Sequence, residues 1–279
     1  MKIALCNEVL QPMPFAKQCD FAKAVGYDGM ELAPFTFSDE PHLMIPAERT
    51  AIRRAAREAG IDITGLHWLL LTPRGLSITS PDDAVRQRTI EVMLRLIELC
   101  HDLGGKVLVH GSPAQRAVAP GTSREDALAR ARDCLASVAD HAHAAEVTYC
   151  IEPLSPSETR IINTVAEAAA IVDAIGSPGL RTMIDTSAAA RTEEEPLAAV
   201  IDRWLPTGRI AHVQVNDRNR RGPGEGEDRF VPIFAALRRG GYEGVVAVEP
   251  FKYVPDGQAT AARALGYIRG ILESLDGHG

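Results

Sequence analysis

The feature that most constrains the fold is a pattern that recurs along the whole chain: a short apolar run, then a segment with helical periodicity. The runs are bounded by turn residues and have the length of buried strands. They are IALCN (3–7), GMELAP (29–34), ITGLHWLL (63–70), KVLVHGSP (106–113), VTYCIEPL (147–154), LRTMIDTS (180–187), RIAHVQVND (209–217) and GVVAVEPF (244–251). Eight successive strand–helix units predict an α/β fold, a closed (β/α)8 TIM barrel.

Capping residues and glycines mark where the intervening helices should begin and end. Thr122 and Glu125 have capping-box spacing ahead of a long helical segment. Gly26, Gly60 and Gly176 stand where a helix should end before the next strand. A doubly wound open sheet is the competing architecture, but no glycine-rich dinucleotide motif follows the first strand. No linker divides the chain, so residues 1–279 are predicted to form a single domain.

Composition narrows the classes of partner and compartment. The formal net charge of -7 argues against a nucleic-acid-binding surface, which needs a basic face. No apolar run is long enough for a signal-peptide core or a membrane span, so no membrane partner is predicted. The five cysteines show no CxxC spacing and are interpreted as reduced thiols. The predicted location is therefore the cytoplasm.

The last polar residues of predicted strands five to eight that could face inward stand at equivalent positions. They are Glu152 in CIEPL, Asp185 in MIDTS, Gln214 in HVQVND and Glu249 in AVEPF. Their separations of 33, 29 and 35 residues each correspond to about one strand–helix unit. Because the carboxyl ends of the strands meet at one face of a TIM barrel, we expect these side chains to be neighbours there.

Three carboxylates in one half-buried site repel one another unless a cation lies between them. Carboxylate and amide oxygens suit a hard divalent ion, Mn²⁺ or Mg²⁺, better than zinc. The sequence therefore predicts a metal site formed by Glu152, Asp185, Gln214 and Glu249. A single acid at a strand end is commonly a cap or ion-pair partner, but four in consecutive units are difficult to explain in that way.

Several other residues are candidates for substrate contact. His67 and His110 end the third and fourth strands, and the alternative for each is a hydrogen-bonded structural role. Trp68 is interpreted either as an apolar wall for a sugar ring or as a packing residue. The arginines of DRNRR (217–221) form either a solvated loop or a clamp for phosphate or carboxylate, with GPGEG (222–226) allowing close approach to a ligand.

With these residues the chain resembles the xylose-isomerase-like TIM-barrel superfamily of sugar isomerases and epimerases. Within it, the chain is similar to ketose 3-epimerases and to hydroxypyruvate isomerase. The resemblance implies that Glu152, Asp185, Gln214 and Glu249 bind the divalent ion, with Glu152 and Glu249 as the acid/base pair. The epimerases usually have histidine at the Gln214 position, whereas hydroxypyruvate isomerase has glutamine.

Two further positions match the epimerase pattern and one departs from it. Glu158, six residues after Glu152, falls where the family's glutamate contacts the sugar hydroxyls. Arg220, six residues after Gln214, falls where its substrate-binding arginine lies. The epimerases have histidine three residues after the aspartate, and Ala188 occupies that place here. The resemblance to the epimerases is thus weakest in substrate specificity.

The resemblance implies proton transfer next to a ketose carbonyl through a metal-stabilised enediolate. Glutamates on opposite faces of the sugar would invert a centre, whereas one glutamate moving a proton between adjacent carbons would interconvert an aldose and a ketose. The predicted partner is a small sugar or keto acid, and many relatives are homodimers or homotetramers. The alternatives are a hydroxypyruvate-isomerase-like enzyme, a metal-dependent dehydratase of a keto-polyol and a non-catalytic sugar-binding barrel. An AP endonuclease is disfavoured by Ala188, Gln214 and the acidic chain.

Overall fold

The computed structural model describes residues 1–277, in which parallel strands close into a barrel. Each strand pairs with the next one along the chain, and β8 pairs with β1. The strands are β1 (Lys2–Cys6), β2 (Gly29–Leu32), β3 (Asp62–Leu66), β4 (Val107–His110), β5 (Thr148–Ile151), β6 (Leu180–Asp185), β7 (Ile210–Val215) and β8 (Val245–Val248). The predicted (β/α)8 architecture is confirmed.

Helices between the strands surround the barrel. They are α1 (Phe15–Val25), α2 (Pro46–Ala59), α3 (Asp83–Leu103), α4 (Arg124–Ala144), α5 (Val165–Ile175), α6 (Thr186–Ala190), α7 (Leu197–Trp204), α8 (Phe230–Arg239) and α9 (Gly257–Asp276). None of those in residues 1–277 is long and apolar enough to cross a membrane. The last two residues of the domain predicted over 1–279, His278 and Gly279, lie outside the described residues.

The ends of the helices follow the sequence signals with one shift. Gly26, Gly60 and Gly176 end α1, α2 and α5 in the left-handed conformation, which a residue without Cβ adopts without strain. The prediction of Thr122 as a helix cap was wrong by one residue. Ser123 caps α4, and its hydroxyl accepts a hydrogen bond from the Asp126 amide at 3.0 Å. A capping hydroxyl needs a backbone amide about three residues ahead of it. Thr122 and Ser123 each have one, so the spacing rule did not distinguish between them.

Apolar side chains pack on both sides of the barrel wall. The larger core lies between the strands and the helices, where Leu5, Leu66 and Val248 are buried. A smaller cluster of Val109, Cys150 and Met183 is separate from that core. All five cysteines are buried and unpaired. Glu152 and Glu249 directly follow β5 and β8, at the carboxyl ends of the strands where the loops open.

Candidate active site

The residues predicted at the ends of β5, β6, β7 and β8 come together at one face of the barrel. Asp185 and Gln214 are paired across β6 and β7. Glu152, Asp185 and Glu249 line one cavity at this face. Gln214 lies beside this cavity and is fully buried. The structure therefore gathers all four predicted residues.

Several oxygen atoms in this group have no hydrogen-bond partner within residues 1–277. They are Asp185 Oδ2, Gln214 Oε1 and Glu249 Oε2, and all three are buried. The other oxygen of Asp185 accepts a hydrogen bond from the Ala188 amide at 2.7 Å. Unpaired buried oxygens are costly unless another group satisfies them, and a divalent cation accepts such donors. The donor set therefore fits Mn²⁺ or Mg²⁺.

Gly111 makes room for the carboxylate of Glu152. A Cβ atom at position 111 would lie 1.6 Å from Glu152 Oε2, far inside van der Waals contact. Only glycine leaves that space free, because every other residue carries a Cβ there. Gly111 follows β4 directly and lines the same cavity. Its position explains how Glu152 can lie against the barrel wall.

Burial and mutual repulsion disturb the ionisation of the three acids. Burial raises the pKa of Glu152 well above its usual range, and the charges of Glu249 and Asp185 raise it further. Burial also raises the pKa of Glu249 to about 8, against the opposing hydrogen bond from His67. The pKa of Asp185 rises to about 6 through burial, and the Ala188 amide opposes the shift. Cations placed among these groups favour the ionised forms.

His67 connects Glu249 to a residue that the sequence analysis missed. Its Nδ1 lies 2.9 Å from Glu249 Oε1, and its Nε2 lies 2.9 Å from Glu8 Oε2. Burial alone would lower the pKa of His67, but the surrounding negative groups raise it well above the usual range. Glu8 lies two positions after the end of β1. An acid at the carboxyl end of the first strand was the sequence signal that could have identified it.

Cys6, Glu8, His67 and Glu249 form a second group with metal-ligating atom types. One donor atom from each lies within 4.8 Å of the others. However, both nitrogens of His67 already bond carboxylates. Burial raises the pKa of the Cys6 thiol well above its usual range, which disfavours the thiolate that a metal requires. The better cation site is therefore the group that offers only oxygen ligands, Glu152, Asp185, Gln214 and Glu249.

A row of polar residues lies beneath Gln214. Glu31 on β2 is fully buried, and its Oε1 accepts a hydrogen bond from Gln214 Nε2 at 2.7 Å. Its Oε2 lies 2.7 Å from His212 Nε2. Neither Glu31 nor His212 was among the candidate site residues predicted from the sequence. The available signal was an acid in the middle of the apolar run GMELAP.

In the loop after β7, Arg220 lies against a ring that lines the cavity, although Arg220 is not itself among the lining residues. Arg218 pairs with Asp228 at 2.6 Å, and Arg221 pairs with Glu225 at 3.4 Å. The guanidinium carbon of Arg220 lies 4.3 Å from the centroid of the Phe251 ring, which lines the cavity. Arg220 has φ 69°, in the left-handed region that non-glycine residues seldom adopt.

Trp68 and Glu158 also reach the cavity, as the sequence analysis expected. The rings of Trp68 and Phe251 meet edge to face, with centroids 6.2 Å apart. Glu158 Oε2 accepts hydrogen bonds from the Ser155 hydroxyl at 2.7 Å and from Arg191 Nη2 at 3.2 Å. Arg191 and Ala188 line the same part of the cavity.

His110 is not among the residues that line the cavity. Its neighbours Val109 and Gly111 do line it, and alternation along β4 directs His110 to the opposite face. There His110 Nδ1 lies 2.9 Å from the Tyr149 hydroxyl. Burial lowers the pKa of His110 to about 3, and the charge of Arg116 adds to the effect. This geometry matches the structural alternative that the sequence left open.

Comparisons with known proteins agree with this fold. A family model described as xylose isomerase-like TIM barrel matches residues 19–271. The chain is 28% identical over 239 residues to D-psicose 3-epimerase of Agrobacterium fabrum, covering 81% of this chain and 76% of that protein. It is 28% identical over 223 residues to L-ribulose 3-epimerase of Mesorhizobium japonicum, covering 80% and 72%. A crystal structure of D-psicose 3-epimerase in the presence of D-fructose superposes with a TM-score of 0.83 at 23% identity, covering 98% of this chain and 99% of that one.

Proposed function

The chain belongs to the xylose isomerase-like TIM-barrel family, and from this premise we propose that it is a divalent-metal-dependent ketose 3-epimerase. It is an isomerase-class enzyme, as its epimerase relatives indicate. The observation that carries the metal-dependent reaction is the convergence of Glu152, Asp185 and Glu249 on one cavity, with unpaired buried oxygens on Asp185, Gln214 and Glu249.

The proposed ligands are Glu152, Asp185, Gln214 and Glu249. When bound, Mn²⁺ or Mg²⁺ would supply a Lewis acid that stabilises the negative charge developing on the substrate's carbonyl oxygen. His67 and the Ala188 amide each occupy one oxygen of a ligand, on Glu249 and Asp185 respectively. The remaining oxygens of those two carboxylates are the ones without partners. Each of these acids is thus held in one orientation towards the site.

Glu152 and Glu249 are the proposed proton-transfer groups. Burial raises the pKa of both carboxyls, and the value for Glu249 is about 8, so each side chain is suited to exchange a proton near neutral pH. One glutamate removes the proton next to the carbonyl, which leaves an enediolate, and the other returns a proton to the opposite face. The configuration at that carbon is thereby inverted.

Side chains around the cavity are proposed to position the sugar. Glu158 accepts hydrogen bonds from sugar hydroxyls, and Arg220 on the Phe251 ring donates to a sugar oxygen. Trp68 and Phe251 provide an apolar wall and exclude water from the reacting carbons. His67 also lines the cavity, as the sequence predicted for a substrate-contact residue. Because both of its ring nitrogens lie against carboxylates, it acts mainly through Glu249 in this proposal.

Aldose–ketose isomerisation is the second candidate. Gln214 and Ala188 stand where the ketose 3-epimerases that this chain resembles have histidines, and hydroxypyruvate isomerase has glutamine at the first of these positions. The same carboxylates would serve it, with one glutamate moving the proton between adjacent carbons. A dehydratase would begin with the same proton abstraction and then lose a β-hydroxyl. The three reactions differ in the carbon that exchanges its proton and in the product.

The proposal is tested by incubating the Mn²⁺-loaded protein in D₂O with free and phosphorylated ketoses and following the products by NMR. A metal-free sample is the control. Deuterium at C3 with inversion supports the epimerase. Label at C1 or C2 with an aldose product would replace it with the isomerase, and an unsaturated product with the dehydratase. Metal binding without exchange on any sugar of the panel would contradict the proposed activity.

A further inference from the structure

A buried polar network lies beneath the proposed metal ligands and has no part in the proton transfer described above. Glu31 on β2 is fully buried in it, as are Gln214 and His212 on β7. Glu31 Oε1 lies 2.7 Å from Gln214 Nε2, and Glu31 Oε2 lies 2.7 Å from His212 Nε2. Cys6 Sγ lies 3.8 Å from Glu31 Oε1. A nitrogen atom thus lies 2.7 Å from each oxygen of Glu31.

This arrangement decides which end of the Gln214 amide faces the metal site. The two ends of a glutamine amide occupy nearly the same space, but one only donates hydrogen bonds and the other only accepts. An ionised carboxylate accepts at both oxygens, so the NH₂ group must face Glu31. The amide oxygen then points away from Glu31, and Gln214 Oε1 is in fact without a partner within residues 1–277.

The acceptor role of Glu31 follows from its neighbours. Gln214 Nε2 lies 2.7 Å from Glu31 Oε1, and His212 Nε2 lies 2.7 Å from Glu31 Oε2. An amide nitrogen only donates and an imidazole nitrogen can donate, so a carboxylate between them acts as an acceptor.

We propose that Glu31 is a positioning residue that holds the Gln214 amide with its oxygen directed to the divalent ion. This inference rests on the proposed function, because that function makes Gln214 a metal ligand. Without Glu31, the amide is free to turn its NH₂ group to the cation, which repels it. Glu31 thus makes an uncharged side chain a dependable oxygen ligand.

The contact with Glu31 limits which side chains are compatible at position 214. The residue must donate an N–H to Glu31 and offer a lone pair on its opposite side. A neutral imidazole has both, with a donor on one nitrogen and an acceptor on the other. A carboxylate has only acceptors. One of its oxygens would replace Gln214 Nε2, which lies 2.7 Å from Glu31 Oε1, and two negative oxygens would then be in contact. Gln214→His is therefore expected to function, and Gln214→Glu to fail unless Glu31 changes with it.

The test compares E31Q, Q214E, the double variant E31Q/Q214E and Q214H. Mn²⁺ binding is titrated by electron paramagnetic resonance of the free ion, and the Tm of each metal-free protein is measured by circular dichroism in chelator. Thr64→Val is the matched control, because Thr64 lies on the neighbouring β3 and bonds the Met30 carbonyl rather than Gln214.

We expect E31Q to weaken Mn²⁺ binding by about 10–100-fold, the usual effect of losing a group that orients a ligand. Q214E should lower the Tm of the metal-free protein, because two carboxylates would be in contact. The double variant exchanges amide and carboxylate, so its Tm should exceed the value expected from adding the single effects. Q214H should bind Mn²⁺ within about tenfold of the parent.

Unchanged Mn²⁺ affinity in E31Q, or Tm effects that simply add in the double variant, would overturn the role of Glu31. Should the variants not fold, neutron diffraction of the deuterium-exchanged parent protein locates the Gln214 nitrogen directly. A deuterated nitrogen on the Glu31 side supports the inference, and an oxygen there refutes it. Failure of the parent to bind Mn²⁺ would instead refute the proposed function, whereas the Tm coupling would still report on the Glu31–Gln214 contact.

Discussion

The imidazole of His67 holds the carboxylate of Glu249: His67 Nδ1 lies 2.9 Å from Glu249 Oε1, and the other oxygen of Glu249 has no partner within residues 1–277. His67 is itself held on its far side by Glu8, also at 2.9 Å. One side chain thus fixes which oxygen of a proposed catalytic base faces the cavity.

His67→Gln should lower kcat by about 10–100-fold, because Glu249 loses the group that orients it. KM should change less, since His67 acts mainly through Glu249. Steady-state kinetics on the substrate identified by NMR check this split. Glu8→Gln is the matched variant, because it leaves the His67–Glu249 bond in place, and its effect should be smaller. A kcat for H67Q equal to that of the parent would contradict the positioning role.

Glu249→Gln should keep the cavity's shape but remove the proposed proton-transfer group. We expect turnover to fall by at least about 10²-fold, the lower end of the range for general acid–base catalysis. Sugar binding, measured by calorimetry, should persist. Glu152→Gln should behave similarly, because the mechanism needs both glutamates. Full deuterium exchange by either variant would show that the assigned residue moves no proton.

Gly111→Ala places a methyl group where the Glu152 carboxylate lies, since the new Cβ would be 1.6 Å from Oε2. We expect Mn²⁺ binding and turnover to be lost together, with the barrel still folded by circular dichroism. Gly266→Ala is the control, because position 266 lies in α9 and a Cβ there meets no atom within 4 Å. That change should stabilise the helix by up to about 1 kcal/mol. Activity retained in G111A would mean that Glu152 can be placed differently.

Divalent metal should stabilise the folded chain, because it relieves the repulsion among Glu152, Asp185 and Glu249. At a free concentration of 100 times Kd, a ligand that binds only the native state adds about 2.7 kcal/mol to the free energy of unfolding. Differential scanning calorimetry with Mn²⁺ and then with excess chelator measures the shift in Tm. Asp185→Asn should reduce the shift. A Tm independent of metal would refute the site.

Buried His110 should make the chain less stable in mild acid. Its pKa is lowered to about 3 in the folded state from 6.5, so the unfolded state binds the proton more readily. The contribution of neutral His110 to the free energy of unfolding should therefore be fully present above pH 6.5. It should be lost progressively as the pH falls from 6.5 towards 3. Urea unfolding at several pH values measures the slope, which His110→Gln should reduce. His143→Gln is the control, because His143 is exposed on α4. An unchanged slope in H110Q would assign the acid sensitivity to other groups.

Two sequence signals were sufficient for the architecture and for four of the proposed site residues. The repeat of apolar run and helix predicted the barrel because each parallel strand needs a crossover helix to reach its neighbour. Glu152, Asp185, Gln214 and Glu249 were identifiable because strands in a closed parallel barrel all end at one face. The sequence predicted a capped helix before Arg124, but the spacing rule could not distinguish Thr122 from Ser123 as the cap.

Chain order and periodicity were enough to predict the barrel and the polar residues at the strand ends. The face that His110 takes, and the residues in contact with Glu249 and Gln214, depend on how the strands pair and could not be predicted. The pairing of β2 with β3 shifts register between Met30 and Glu31, and β6 with β7 between Thr182 and Met183, so alternation cannot be counted across them from sequence. Glu31 and Gln214 lie 183 residues apart along the chain, and His67 and Glu249 lie 182 residues apart. Barrel closure, which joins β8 to β1, is the physical event that brings them together.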